Sequence, residues 1–121
     1  MIAVIFEVTP NETERTRYFE IAASLRDELS AIEGFISVER FQSITTPEKF
    51  LSLSFWRDEA AVAAWRQRSN HRAAQQAGRA EVFADYRLRV ASVVRDYGMS
   101  ERTQAPRDSQ SIHATKDPST L

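Results

Sequence analysis

The chain contains no cysteine, and other structure-limiting features are also scarce. Without cysteine, disulfides, thiolate catalysis and sulfur-based zinc sites are excluded, which suits a reducing compartment. With three glycines and four prolines in 121 residues, few residues interrupt helices or strands, and one compact domain is expected. No apolar run approaches the roughly 20 residues that a membrane-spanning helix needs, so no membrane partner is expected.

Neither sign of charge is in excess, since 16 Lys and Arg oppose 17 Asp and Glu. General binding to nucleic acid needs surplus basic residues, so no nucleic-acid partner is expected. The two histidines, His71 and His113, are far apart, and no phosphate-binding or metal-binding motif occurs, so no metal site is expected. The first ten residues lack the basic start of a signal peptide, and a cytoplasmic location is expected.

Apolar, β-branched and aromatic residues predict four strands, at 2–9, 35–44, 50–56 and 84–97. The first strand is apolar on both faces except for Glu7. Apolar residues on both faces are typical of a central strand. Charged residues within the second indicate an edge strand. The short turn between the second and third strands favours antiparallel pairing of the two.

A long amphipathic helix is predicted over 11–32, where apolar residues recur at steps of three and four. Asn11 and Glu14 have the spacing of a capping box at its start. Gly34 is expected to end the helix, because glycine takes a positive φ without steric cost.

Two shorter helices are predicted between the third and fourth strands. The first covers 58–68, with Asp58 as its N-cap, and it carries Trp65. The second covers 70–82. A continuous helix would place Trp65 and His71 about 120° apart, so the two would face one cavity only if the chain breaks at 68–70.

The element order β-α-β-β-α-(α)-β predicts an α+β, ferredoxin-like fold with a four-stranded antiparallel sheet over residues 1–97. Helices would cover one face of that sheet, while the first and third strands are apolar on both faces. A second copy packed on the uncovered face would bury it, so a homodimer with a shared barrel is predicted. Residues 98–121 are polar, and a flexible tail, or one lying on a partner subunit, is expected.

Two segments resemble the antibiotic biosynthesis monooxygenase domain family, which forms dimeric α+β barrels. They are Glu-Gly-Phe at 33–35 and the segment at 54–79, with its aromatic strand end, helical Trp and nearby His. The similarity covers roughly residues 1–97. It implies one of several activities, among them cofactor-free oxidation of quinols or polyketides and degradation of haem.

The haem-degrading members that the chain resembles use an Asn on the first strand, a Trp on the second helix and a His one helix further. Trp65 matches the Trp. Phe6 and Glu7 stand where the Asn is expected, and Gln75 or Gln76 lies nearer than His71 to the expected position of the His. Haem degradation is therefore the third and least favoured of the three functions considered.

Two candidate catalytic residues carry alternative interpretations. His71 could act as a general base, since its ordinary pKa is near 6.5, or it could make a structural hydrogen bond near a helix start. Glu7 could act as an acid or base if buried, or it could pair with Arg87, Arg89 or Arg95 of the last strand.

The candidate substrate-binding residues are Phe6, Trp56, Trp65 and Asn70. Trp65 could wall a substrate cavity or anchor the core, and these two roles are compatible. The leading expectation is a cofactor-independent monooxygenase that oxidises an aromatic, quinol-like or polyketide molecule with O₂. The alternative is a non-catalytic dimeric module that binds a small ligand or has a structural role.

Overall fold

A computed structural model of the protein describes residues 1–68 and 82–109. Four strands form one antiparallel sheet, in the order β2-β3-β1-β4. Their bounds are Ile2–Pro10 for β1, Phe35–Gln42 for β2, Phe50–Trp56 for β3 and Phe83–Ser92 for β4. The predicted α+β, ferredoxin-like sheet is confirmed. The helix predicted at 70–82 lies outside the described residues, except for its last position.

The strand order confirms three predictions made from side-chain pattern. β1 is central, because β3 and β4 pair with its two edges, and β2 lies at one edge of the sheet. β2 and β3 pair antiparallel. The fourth strand is shorter than the predicted 84–97 and ends at Ser92, opposite Ile2. β1 begins at that point, so residues beyond Ser92 have almost no strand left to pair with.

The predicted helix at 11–32 is divided into three pieces. A 3-10 turn at Glu12–Glu14 precedes α1, Arg15–Ser24, and α2, Arg26–Ser30. Between them the Ser24 hydroxyl donates to the carbonyl of Ile21 at 2.7 Å, and this carbonyl would accept from residue 25 in a continuous helix. A local side-chain bond therefore competes with the helix at the point where it breaks.

The helix termini also differ from the predicted capping. Asn11 stands at the N-cap of the 3-10 turn, but its side chain makes no capping hydrogen bond there. α2 ends with Ala31 as its C-cap, so Gly34 lies in the turn that follows instead of ending the helix. The positive φ expected at Gly34 is confirmed, at 92°.

Gly34 brings the turn before β2 against α3, the helix Glu59–Arg66. Its carbonyl accepts from the backbone N–H of Arg57 at 2.7 Å. A Cβ placed on Gly34 would lie 2.8 Å from the Cβ of Ala61, closer than such atoms approach in folded proteins. Glycine is therefore required here both for its backbone angle and for its lack of a side chain.

The two faces of the sheet have different surroundings. On the cavity face, which we define by the β1 residues Ile2, Val4, Phe6 and Val8, side chains pack against the helices. The residues of the open face, defined by Ala3, Ile5, Glu7 and Thr9, belong to neither of the two core clusters that include the helices. The β3 side chains on that face are Leu51, Leu53 and Phe55, and they are only partly buried.

Glu7 carries the charge of β1 on the open face. Its carboxylate lies 3.3 Å from Arg89 on β4 and 3.5 Å from Lys49, which precedes β3. The predicted pairing with an arginine of the last strand is thus confirmed for Arg89. The hydrogen bond from Arg89, assisted by Lys49, holds the pKa of Glu7 below its ordinary value.

The first part of the predicted tail makes defined local contacts. The side-chain carbonyl of Gln104 accepts from the backbone N–H of Asp96 at 2.9 Å. The guanidinium of Arg102 lies 5.2 Å above the ring of Tyr97 and donates to the carbonyl of Gly98. Residues 110–121 and His113 lie outside the described residues, so flexibility of the tail stays a prediction.

Replacing Gly34 by alanine should destabilise the fold by about 1–3 kcal/mol, because the new Cβ meets Ala61 and the backbone angle is unfavourable. Urea denaturation measures the change. Gly98→Ala is the matched control: a Cβ there meets nothing within 4 Å, so its effect should stay within about 0.5 kcal/mol. Equal stability of the two variants would contradict the close packing at Gly34.

Replacing Glu7 by glutamine should reduce the loss of stability in acid. A carboxylate whose folded pKa is lowered stabilises the fold above its unfolded pKa of about 4.3. That contribution is lost as the pH falls through the lower folded pKa. The urea midpoint should therefore fall more between pH 7 and pH 3 in the unaltered protein than in Glu7→Gln.

The expected effect is modest, since the ion pair is solvent-exposed and salt screens it. Glu48→Gln is the control, because Glu48 is exposed in a turn and forms no ion pair with a described residue. It should respond to acid as the unaltered protein does. Identical acid responses of Glu7→Gln and the unaltered protein would contradict a folded-state role for the Glu7 carboxylate.

Candidate functional site

A cavity of about 430 Å³ lies between the cavity face of the sheet and the helices α1, α2 and α3. All four strands and these three helices contribute to its lining, which is mostly apolar. This volume is within the range of small-molecule sites, and concave apolar sites of this kind bind most small ligands. The cavity is therefore the candidate functional site.

Trp56 and Trp65 form one wall of the cavity, and both are almost fully buried. The ring nitrogen of Trp56 donates to the hydroxyl of Ser54 at 2.9 Å. Its ring packs edge-on against Phe35, with 5.2 Å between centroids. Trp56 is thus fixed by a hydrogen bond and by packing, since a buried indole N–H needs an acceptor.

Trp65 is positioned by the start of α3. The carboxylate of Asp58 accepts from the backbone N–H of Ala61 at 2.9 Å, which confirms the predicted N-cap. That bond, together with Arg57, holds the pKa of Asp58 below its ordinary value. Val62 and Trp65 are three residues apart in α3, so they lie on the same face of the helix, and this face meets the sheet.

Aromatic rings line the end of the cavity nearest the start of β4. Phe6 lies 5.7 Å from both Phe83 and Tyr86, measured between ring centroids. Tyr18 of α1 meets Phe83 edge-on at 6.0 Å. Offset and edge-on rings pack favourably and leave an apolar surface. This end of the cavity suits the hydrocarbon or aromatic body of a ligand.

Few polar side chains line the cavity among the described residues, and they lie on β2, β3, α1 and α3. Ser52 and Ser54 lie on β3, and Tyr18 lies on α1. Arg40 lies on β2 beside Ser52, and Arg66 ends α3. Burial raises the pKa of the Tyr18 phenol, and the guanidinium of Arg40 partly opposes that rise. At neutral pH, Tyr18 is therefore a hydrogen-bonding phenol.

Three of the six residues proposed from the sequence meet in this cavity: Phe6, Trp56 and Trp65. Glu7 lies on the open face with its ion pairs, on the opposite side of the sheet. His71 and Asn70 lie outside the described residues, and their predicted roles stay predictions.

Sequence reasoning did not single out Arg40 or Tyr18. Arg40 looked like a solvent-facing residue of an edge strand, yet its neighbour Ser52 belongs to the β3 face that carries Trp56. Once β2 and β3 are paired in register, alternation places Arg40 on the cavity face. Tyr18 lies on the apolar stripe of α1. Its hydroxyl, a polar group on that stripe, was the sequence feature that could have identified it as a site residue.

The described residues give no sign of a metal centre or of a membrane segment. Among them, no three His, Asp or Glu side chains are grouped so that they could hold a metal ion. No helix within residues 1–68 and 82–109 combines the length and apolar character that crossing a membrane requires.

Comparison with known proteins identifies the family. Residues 1–77 match the sequence profile of the antibiotic biosynthesis monooxygenase family. The chain is 48% identical over 93 residues to the jasmonate monooxygenase ABM of Pyricularia oryzae, covering 77% of this chain and 43% of that protein. It is also 31% identical over 101 residues to YqjZ of Bacillus subtilis, covering 84% and 86% of the two chains.

The fold has close structural counterparts. Rv0793 of Mycobacterium tuberculosis superposes with a TM-score of 0.72 at 13% identity, over 80% of this chain and 98% of that one. At this identity the likeness concerns the fold alone. The chain spans less than half of the length of the Pyricularia relative. The profile match over residues 1–77, more than half of the chain, shows that it belongs to the antibiotic biosynthesis monooxygenase family.

Proposed function

We propose that the protein is a monooxygenase that oxidises a small, largely apolar molecule with O₂, without a bound cofactor. The observation that carries the proposal is the apolar cavity walled by Trp56 and Trp65. Family membership and the name of the Pyricularia relative support the reaction class. The substrates proposed are aromatic, quinol-like or polyketide molecules and, from that relative, jasmonate.

Such a cavity can promote oxidation through its environment. A phenol or an activated CH₂ group loses a proton, and the resulting anion passes electrons to O₂. The substrate carbon forms a bond to oxygen, and the resulting hydroperoxide loses water to leave a carbonyl group. The CH₂ group, or the phenol ring with oxygen added at a carbon that carries hydrogen, supplies all four electrons, so one O₂ yields one new carbonyl oxygen and one water. Excluding water around the anion strengthens the interactions that orient it.

The proton acceptor in this proposal is His71, with Asn70 as a further substrate contact. An imidazole has an ordinary pKa near 6.5, which suits proton abstraction near neutral pH. Glu7 is not included, because its carboxylate is ion-paired on the opposite face of the sheet. Phe6, Trp56 and Trp65 supply the walls.

We further propose that the protein works as a homodimer in the cytoplasm. The open face exposes part of Leu51, Leu53 and Phe55 beside the Glu7 ion pair, and no described helix covers it. A second copy packed face to face would bury these apolar side chains and close a shared barrel.

Oxygen consumption tests the proposed activity. Purified protein is incubated with a panel of hydroquinones, anthrone-type phenols and jasmonate, and O₂ uptake is recorded with an oxygen electrode. Trp65→Ala should lower kcat/KM about tenfold or more, because the wall that orients the substrate is removed. Trp65→Phe keeps an aromatic wall and should retain most of the activity.

A thermal melt of each variant separates loss of activity from loss of fold. Saturable binding of panel members without any O₂ uptake would contradict the oxygenase proposal and support a ligand-binding module. Unchanged turnover in a folded Trp65→Ala protein would contradict the role of this cavity.

Sedimentation equilibrium tests the dimer. The unaltered protein should sediment with twice the mass of one chain, and Leu53→Lys should reduce that mass towards a single chain, because it buries a charge between the sheets. Ala23→Lys is the control, since Ala23 is exposed on α1 away from the open face. A monomeric unaltered protein, or a Leu53→Lys variant with the full dimer mass, would contradict the proposed interface.

A further inference from the structure

Within the described part of the chain, the charged side chains that line the cavity all have one sign. Among the described lining residues, the charged ones are Arg40 and Arg66, and no Asp or Glu side chain contributes. The remaining lining is apolar or carries hydroxyl groups. A low-dielectric site with cations and without carboxylates favours a ligand that brings its own negative charge.

Arg40 is the better placed of the two cations, because it is partly buried whereas Arg66 is exposed. One terminal nitrogen donates to the carbonyl of Ala22 at 3.3 Å, a long hydrogen bond. Its Nε is buried and has no hydrogen-bond acceptor in the described structure. No carboxylate of the described residues forms a salt bridge with it.

Arg40 therefore has N–H donors that could bind a ligand. A guanidinium carries five N–H donors in a planar fork that matches a carboxylate. A bound anion would add a charge-assisted hydrogen bond to the terminal nitrogens of Arg40, which lines the cavity. The Tyr18 oxygen accepts a hydrogen bond from Arg40, which leaves the Tyr18 O–H as a further donor to the same group.

We propose that the cavity selects an apolar molecule bearing an anionic oxygen group, which docks on Arg40 while its apolar body lies against the aromatic walls. The anionic oxygen is that of a carboxylate or a phenolate. This inference rests on the proposed function only in taking the same cavity as the substrate site. It names the substrate class, and it makes Arg40 the residue that discriminates an acid from its neutral analogue.

Arg40 also has a structural contact that the test must separate from binding. Its bond to Ala22 ties the edge strand β2 to the last turn of α1, where a cation suits the helix dipole. Arg40→Gln removes the charge and keeps an N–H donor for that carbonyl. Arg40→Lys keeps the charge and loses the planar fork.

Binding is measured by isothermal titration calorimetry at pH 7.5 with three matched pairs. Two pairs test a carboxylate: jasmonic acid with methyl jasmonate, and 2-naphthoate with methyl 2-naphthoate. The third, 2-naphthol with 2-methoxynaphthalene, tests a phenolic oxygen, which is protonated in solution at pH 7.5 and would lose its proton on binding. Within each pair the apolar body is nearly unchanged, so the ratio of the two affinities reports the anionic group. The neutral member also shows whether each variant keeps a folded cavity.

The unaltered protein should bind at least one acid or phenol more tightly than its neutral analogue. Arg40→Gln should weaken binding of that compound about tenfold to hundredfold, while the neutral analogue changes less than about twofold. Arg40→Lys should retain part of the preference. Arg26→Gln is the control for charge removal, since Arg26 is exposed on α2 outside the cavity lining, and it should behave as the unaltered protein.

Two results would overturn the inference: no acid or phenol of the panel bound more tightly than its neutral partner, or a preference that survives in Arg40→Gln. Oxygen uptake with the same compounds is recorded separately. An Arg40-dependent preference without O₂ uptake would keep the anion site and remove the oxygenase proposal. Oxygen uptake without an Arg40-dependent preference would keep the oxygenase proposal and remove the anion site.

Discussion

The central strand β1 sets the constraint on which the rest of the molecule depends, because it is apolar on both faces and lies between β3 and β4. The described helices cover one face, and there they leave a cavity of about 430 Å³ instead of a filled core. The other face carries partly buried apolar residues and the Glu7 ion pair. One strand thus supplies both the candidate site and the candidate subunit interface, so a change of register would disrupt both.

Two local devices hold the cavity in shape. Gly34 lets the turn before β2 pack directly against Ala61, and the Asp58 carboxylate fixes the first turn of α3. Together these two contacts determine the position of Trp65 on the cavity face of the sheet. Trp56 is held independently, through its hydrogen bond to Ser54. The wall formed by the two tryptophans therefore rests on two local hydrogen bonds, at Asp58 and at Trp56, and on the long-range contact of Gly34 with Ala61.

These short-range features were the ones predictable from sequence. Alternation in β1 and β3, the Asp58 cap and the need for glycine at 34 each depend on neighbouring residues, and the fold class follows from their order. The break between α1 and α2 was not predictable from periodicity, because the apolar steps of three and four continue through it, while the Ser24 hydroxyl bonds a helix carbonyl there. Arg40 was missed since its position depends on the pairing of β2 with β3. For Glu7 the sequence left a catalytic role and an ion pair open, and the structure shows the ion pair with Arg89.

We propose that ligand chemistry takes place between the helices and the sheet, on the cavity face. A crystal structure of the protein with jasmonate or 2-naphthoate tests this proposal most directly. Ligand density is expected between Trp65 and the sheet, with the anionic oxygens within about 3 Å of the Arg40 guanidinium. Density on the open face beside Glu7, or a cavity that closes on itself while ligand binds elsewhere, would contradict it.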